Sequence, residues 1–160
     1  MLPQRIVAIG ASVVAGVMDP EGGGYVGRLK RWHEGLHFRN VLFDLGIGGD
    51  TSTRILRRFL SEVGARKPDL ILLGAGVNDA RRIGGPTADP TTSLSQYAEN
   101  VAALLQQSKQ LAPLVWVSTL PFDEARTTPL EYWNAQYYIF REDVEQYVTT
   151  AERLCRETDI

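Results

Sequence analysis

The chain has 160 residues, 44% hydrophobic and 22% charged, with 17 basic against 19 acidic side chains and a formal net charge of -2. That is the size and balance of one folded domain with a real core, which excludes disorder, collagen and coiled coil. No apolar run approaches the ~18 residues of a membrane span, and no basic surplus or single-sign charge run points to nucleic acid or a membrane surface.

The opening residues, Met1-Leu2-Pro3-Gln4-Arg5, lead straight into an apolar run. They lack the charged and hydrophobic regions of a secretory leader, so the expected compartment is the cytoplasm. Arg5 to Gly10 reads as a buried strand closed by glycine. A glycine-rich loop follows through Gly24, then a helix from Tyr25 to about Glu34 with Val26, Leu29 and Trp32 on one face. Phe38 to Leu45 reads as the second strand. Gly46 to Asp50 is a turn, and Thr51 to Ala65 a helix with Ile55, Leu56, Phe59, Leu60 and Val63 at helical spacing. Pro68 introduces the third strand, Asp69 to Leu73. A loop rich in Gly, Pro and Asp runs from Gly74 to about Thr92.

Ser93 and Gln96 form a capping box, and the helix behind them is expected to bury Tyr97, Val101, Leu104 and Leu105. Leu114 to Val117 is the fourth strand. Thr128-Pro129-Leu130-Glu131 carries helix-start chemistry. Leu130, Trp133, Tyr137, Phe140, Val144, Tyr147, Ala151 and Leu154 then recur at helical spacing. They predict one amphipathic helix of nearly thirty residues, or two with a bend. The same spacing assigns Trp133, Tyr137 and Tyr138 to the core. The tail, Arg156 to Ile160, reads as the approach to a fifth strand. Cys155, the single cysteine, sits on the apolar stripe as a packing residue and rules out an internal disulfide or a multi-cysteine metal site.

Alternating strands and helices, with near-continuous apolar strands, predict an α/β domain over residues 1–160: a parallel sheet with helices on both faces. Ligands of such sheets bind beyond the carboxyl ends of the strands. Gly10-Ala11-Ser12-Val13 follows the first strand, Gly46-Ile47-Gly48-Gly49-Asp50-Thr51 the second and Gly74-Ala75-Gly76-Val77-Asn78-Asp79 the third. A hydroxyl nucleophile needs N–H donors aimed at the developing oxyanion. Ser12, the Gly49 N–H and the Asn78 side chain are the right chemical types. Taken singly, each has a plainer use: a turn serine, glycines permitting positive φ or cradling a phosphate, a turn Asn-Asp pair.

In order and spacing, the three blocks resemble those of the SGNH hydrolases, the GDSL-type esterases and lipases. Gly10-Ala11-Ser12-Val13-Val14-Ala15-Gly16 is similar to the family's first block, Gly48-Gly49-Asp50-Thr51-Ser52 to its second and Gly76-Val77-Asn78-Asp79 to its third. The resemblance implies a flavodoxin-like three-layer α/β/α sandwich. It implies Ser12 as nucleophile, with the Ser12 N–H, the Gly49 N–H and Asn78 as oxyanion hole. It implies hydrolysis of a small-molecule carboxylic ester or thioester through an acyl-serine, with no cofactor and no metal. Substrate-binding residues and oligomeric state are not set by the sequence.

Two departures stand out. Ala11 replaces the aspartate that the family places before the nucleophile. The family's Asp-x-x-His block, source of the general base, is absent. The two histidines, His33 and His37, are expected on the surface at the amino edge of the sheet, roughly 20–25 Å from Ser12 across a strand at about 3.3 Å per residue. Asp50 is expected to cap the helix at Thr51, and Asp79 to brace the Asn78 turn. The resemblance therefore implies a C-terminally truncated domain, continued past Ile160 by a strand, an Asp-x-x-His loop and a last helix. Two other function classes remain: a non-catalytic module for acylated or glycan ligands, and a phosphate binder using Gly48-Gly49-Asp50-Thr51. No Walker or G-x-G-x-x-G motif supports the latter. Arg81, Arg82 and Arg126 are read as solvated loop arginines that could meet an anionic leaving group.

Overall fold

In the computed structural model, residues 2–132 and 134–160 are described. Met1 and Trp133, to which the sequence assigned a start and a core position, lie outside them. The elements in chain order are β1 (Arg5–Gly10), α1 (Gly24–Leu36), β2 (Val41–Gly46), α2 (Ser52–Ala65), β3 (Leu70–Gly74), α3 (Val77–Ala80), β4 (Arg82–Ile83), α4 (Leu94–Lys109), β5 (Leu114–Trp116), β6 (Leu130–Tyr132), β7 (Ala135–Tyr138) and α5 (Arg141–Glu157).

β1 and β3 are almost entirely apolar and bury their central residues, as strands covered on both faces do, while β2 keeps Asp44 exposed. Successive side chains alternate between faces. Val7, Ile9, Ile71 and Leu73 pack with Ile55, Phe59 and Val63 of α2 and Leu104 of α4. Ile6, Ala8, Leu42 and Leu72 pack with Val26 of α1 and with Val14. The sheet between these layers is parallel, in the order β2-β1-β3-β5. This is the expected α/β sandwich. Helix α5 packs beside α4 through Val144, Tyr147, Ala151 and Cys155 against Tyr97, Val101 and Leu105. The four residues predicted as the core of α4 are all fully buried, and Cys155 is buried as expected.

Several expectations need correction. No long helix starts at Thr128: Leu130–Tyr132 and Ala135–Tyr138 form the antiparallel strands β6 and β7, joined to β4 in a second sheet of order β4-β7-β6. The segment is rich in aromatics, which favour strands, and Asn134 takes φ +61° at the connection. Helix α5 begins only at Arg141, and Arg156 and Glu157 are its last residues rather than the start of a strand. Residues 77–83, expected as loop, form α3 and β4. Phe38 is exposed ahead of β2. The exposed face of α1 includes Trp32, while His33 is buried. Seven residues from Val26 is nearly two full helical turns and six is not, so His33 shares the core face. Its Nε2 lies 3.1 Å from the Gln4 carbonyl oxygen. Ser93 accepts from the Gln96 N–H, but the Gln96 amide bonds Glu99 and Asn100 instead of completing the box.

Candidate active site

The carboxyl ends of β1, β2 and β3 deliver three turns to one rim of the sheet. After β1 the chain coils through 11–17, with Ala15 N–H donating to Ala11 and Val17 N–H to Ser12. This turn lies so close to β2 that a Cβ on Gly46 would sit 2.2 Å from the Ala15 nitrogen. Ser12 is partly exposed. Among the described residues its hydroxyl has no hydrogen-bond partner, and its N–H has no acceptor.

The second turn carries Gly49 at φ +82°, a left-handed conformation that favours glycine. Its N–H also lacks an acceptor among the described residues. The third turn places Asn78 in α3, where Nδ2 donates to the Asp50 carbonyl at 2.9 Å. A carboxamide nitrogen has two hydrogens. One orients Asn78 on the second turn and the other remains for a ligand.

Behind this rim lies a buried polar network. The Ser52 N–H donates to both Asp79 carboxyl oxygens at 3.0 Å and its hydroxyl to Oδ1 at 2.6 Å. Asp79 thus braces the Asn78 turn, as expected, and does so by capping α2 from another part of the chain. A carboxylate there also meets the positive end of the helix dipole. Asn100 of α4 donates to Ser52 Oγ and Thr53 Oγ1, both at 2.9 Å. Burial raises the Asp79 carboxyl above its ordinary value, and the bonds from Ser52 oppose that rise. Asp50 does not cap α2. Its carboxylate accepts from Arg58 Nε at 2.9 Å, and the cap residue is Thr51.

A cavity of about 240 Å³ opens on this rim. Ala11, Ser12, Asp50, Gly76 and Asn78 border it, with an apolar wall from Val117, Leu120, Phe122 and Ile139. It therefore brings Ser12 and Asn78 together, while Gly49 sits in the adjoining turn. Tyr25 also lines it, a residue the sequence pattern did not single out. Burial pushes its hydroxyl up to about 12, so it stays neutral at physiological pH. A turn arginine expected to be free, Arg82, makes a two-point ion pair with Asp143, Nε at 2.7 Å and Nη2 at 2.8 Å. Arg81 lies over the Tyr137 ring, 4.4 Å from its centroid.

Neither histidine reaches the cavity. His33 contacts Gln4, one residue before β1, and Ser12 lies two residues beyond its other end. Six residues at about 3.3 Å put them roughly 20 Å apart. His37 is exposed beside Phe38. Among the described residues no group of three or more His, Cys, Asp or Glu could hold a metal ion, and no helix is long and apolar enough to cross a membrane.

The GDSL-like lipase/acylhydrolase family pattern matches residues 8–160. No curated protein sequence matches the chain. Among solved structures, a lipase/acylhydrolase from Enterococcus faecalis superposes with a TM-score of 0.72 at 20% identity, over 98% of this chain and 73% of that one. An acetyl xylan esterase from Geobacillus stearothermophilus gives the same four values. The psychrotrophic esterase EstA from Pseudoalteromonas sp., in a form inhibited by monoethylphosphonate, gives 0.69 at 17% identity over 98% and 74%.

Proposed function

Since the chain belongs to the GDSL-like lipase/acylhydrolase family, we propose that its site is built for acyl transfer from a carboxylic ester or thioester to Ser12. One observation carries this reading. Ser12 and Asn78 border the same cavity, and among the described residues the donors an oxyanion needs are unengaged: the Ser12 N–H, the Gly49 N–H and one Asn78 hydrogen. Ser12 Oγ attacks the acyl carbon. The negative charge that develops on the carbonyl oxygen falls to those three donors, a type of stabilisation worth about 3–4 kcal/mol per donor. The alcohol or thiol leaves, and water releases the acid from the acyl-serine.

The remaining part is the base. Both histidines of the sequence stand at the opposite edge of the sheet, and the Asp79 carboxylate is spent on Ser52. The proton of Ser12 therefore falls to a group outside these 160 residues, a histidine by family resemblance. A general base is worth about 10²–10⁴ in rate. Fluorophosphonate labelling of Ser12 should be slow, be lost in Ser12→Ala, and accelerate with added imidazole. Rapid ester turnover without imidazole would refute this account of the base, and labelling that persists in Ser12→Ala would refute the nucleophile.

The same missing base favours a second reading, a non-catalytic module that holds acylated or glycan ligands. In that case Ser12→Ala leaves ligand binding intact and imidazole has no effect.

A further inference from the structure

One side chain ties the ends of β1 and β2 to Asp50, the residue whose carbonyl orients Asn78. Arg58, on the second turn of α2, is largely buried, its side chain 13% exposed. Its Nε donates to Asp50 Oδ2 at 2.9 Å. Its Nη2 donates to the carbonyl oxygens of Gly10, at 3.1 Å, and Leu45, at 2.9 Å. Nη1 donates to Glu62 at 3.1 Å. Gly10 stands two residues before Ser12. Leu45 lies in β2, on the strand that leads into the Gly49 turn. Asp50 follows Gly49, and its carbonyl is the acceptor that orients Asn78.

We infer that Arg58 is a positioning residue for acyl transfer, setting the separation between the Ser12 turn and the Gly49 and Asn78 donors. The inference rests on the reading of Ser12 as nucleophile. The guanidinium is suited to the task because its donors form a rigid planar fork that can hold acceptors on two strands and a carboxylate together. An ammonium group keeps the charge but lacks the fork. With lysine at 58 the two turns remain attached to the fold, yet nothing fixes their distance. Reaction rates fall steeply for displacements on the scale of 1 Å.

The test compares wild type, Arg58→Lys and Glu62→Gln. Two readouts are needed: the second-order rate of Ser12 labelling by a fluorophosphonate, with and without imidazole, and the ¹⁵N resonances and hydrogen exchange of the Gly49 amide and the Asn78 side chain. In Arg58→Lys, labelling should fall about 10- to 100-fold. The Gly49 and Asn78 signals should shift and exchange faster, with the far-ultraviolet spectrum unchanged. Glu62→Gln, which removes only the outer partner, should stay near wild type in both. A folded Arg58→Lys protein with wild-type Gly49 and Asn78 signals would overturn the inference, as would labelling reduced only in proportion to unfolded protein. If Ser12 fails to label even in wild type with imidazole, the nucleophile assignment falls, and the resonance comparison still decides what Arg58 positions.

Discussion

The two halves of the proposed catalytic rim are fixed by different physics. The Ser12 turn is held by the close approach of backbones: Gly46 leaves no space for a Cβ against Ala15, and Gly10 none against Val14 and the Gly74 carbonyl. The Gly49–Asn78 half is held by side-chain hydrogen bonds, from Asp79 and Asn100 on Ser52 and from Arg58 on Asp50. Close backbone contact sets where the Ser12 turn sits, with Arg58 on the Gly10 carbonyl beside it. Hydrogen-bonded clamps hold donors at fixed directions, which an oxyanion requires. Among the described residues the Ser12 hydroxyl has no hydrogen-bond partner, while the Asn78 side chain is already oriented on Asp50.

Substitutions on either side probe this difference. The largest effect is expected from Gly46→Ala. The added methyl would meet the backbone of residue 15, which cannot move like a flexible side chain, and should cost about 3 kcal/mol or more. A urea midpoint within error of wild type would show that the Ser12 turn is not held by contact. Asn100→Ala, on the other half, removes the donor to Ser52 and Thr53 and should cost about 1–3 kcal/mol by the same measurement. It should also perturb Asn78 resonances while leaving those of residues 11–17 unchanged.

The smallest effect sharpens the electrostatics. Burial raises the Asp79 carboxyl above its ordinary 3.8, so the folded chain keeps that proton longer than the unfolded one. Its contribution to stability is complete below the unfolded value and is lost as pH rises through the folded value. Asp79→Asn removes that loss. The stability of wild type minus that of the variant should decline as pH rises from about 3.5 to 7. A difference that grows with pH would mean that the Ser52 bonds outweigh burial.

The sequence reveals the parallel sheet well, because short apolar runs alternate with segments of helical period, the pattern of strands covered by helices. Motif spacing singles out Ser12, Gly49 and Asn78 as candidates, and Ser12 and Asn78 border one cavity. It does not reveal what holds them. Arg58 and Asn100 lie far along the chain from their partners, and nothing local distinguishes a clamping arginine from a solvated one; Arg58 was passed over among many charged helix residues. Asp50 was misassigned for the same reason. Its position suggested a cap, but the ion pair with Arg58 claimed it and Asp79 took the capping role across the fold. Residues 128–140 misled through coincidence: Leu130, Trp133, Tyr137 and Phe140 match a helical period, yet aromatic content and an Asn suited to a tight turn favour strands. His33 stands at the amino edge of the sheet, where a surface position is expected, yet its seven-residue spacing from Val26 turns it into the core.

Among the described residues the second sheet shares no ladder with the first. It is moored to α5 by the Arg82–Asp143 pair, and the chain flanking β6 and β7 lends Thr127 and Ile139 to the cavity wall. The Ser12 and Asn78 turns thus belong to the central sheet, while part of the wall, Thr127 and Ile139, comes from the segment around the second one. Substitution at those two positions can reshape the cavity while the geometry around Ser12 and Asn78 stays as it was.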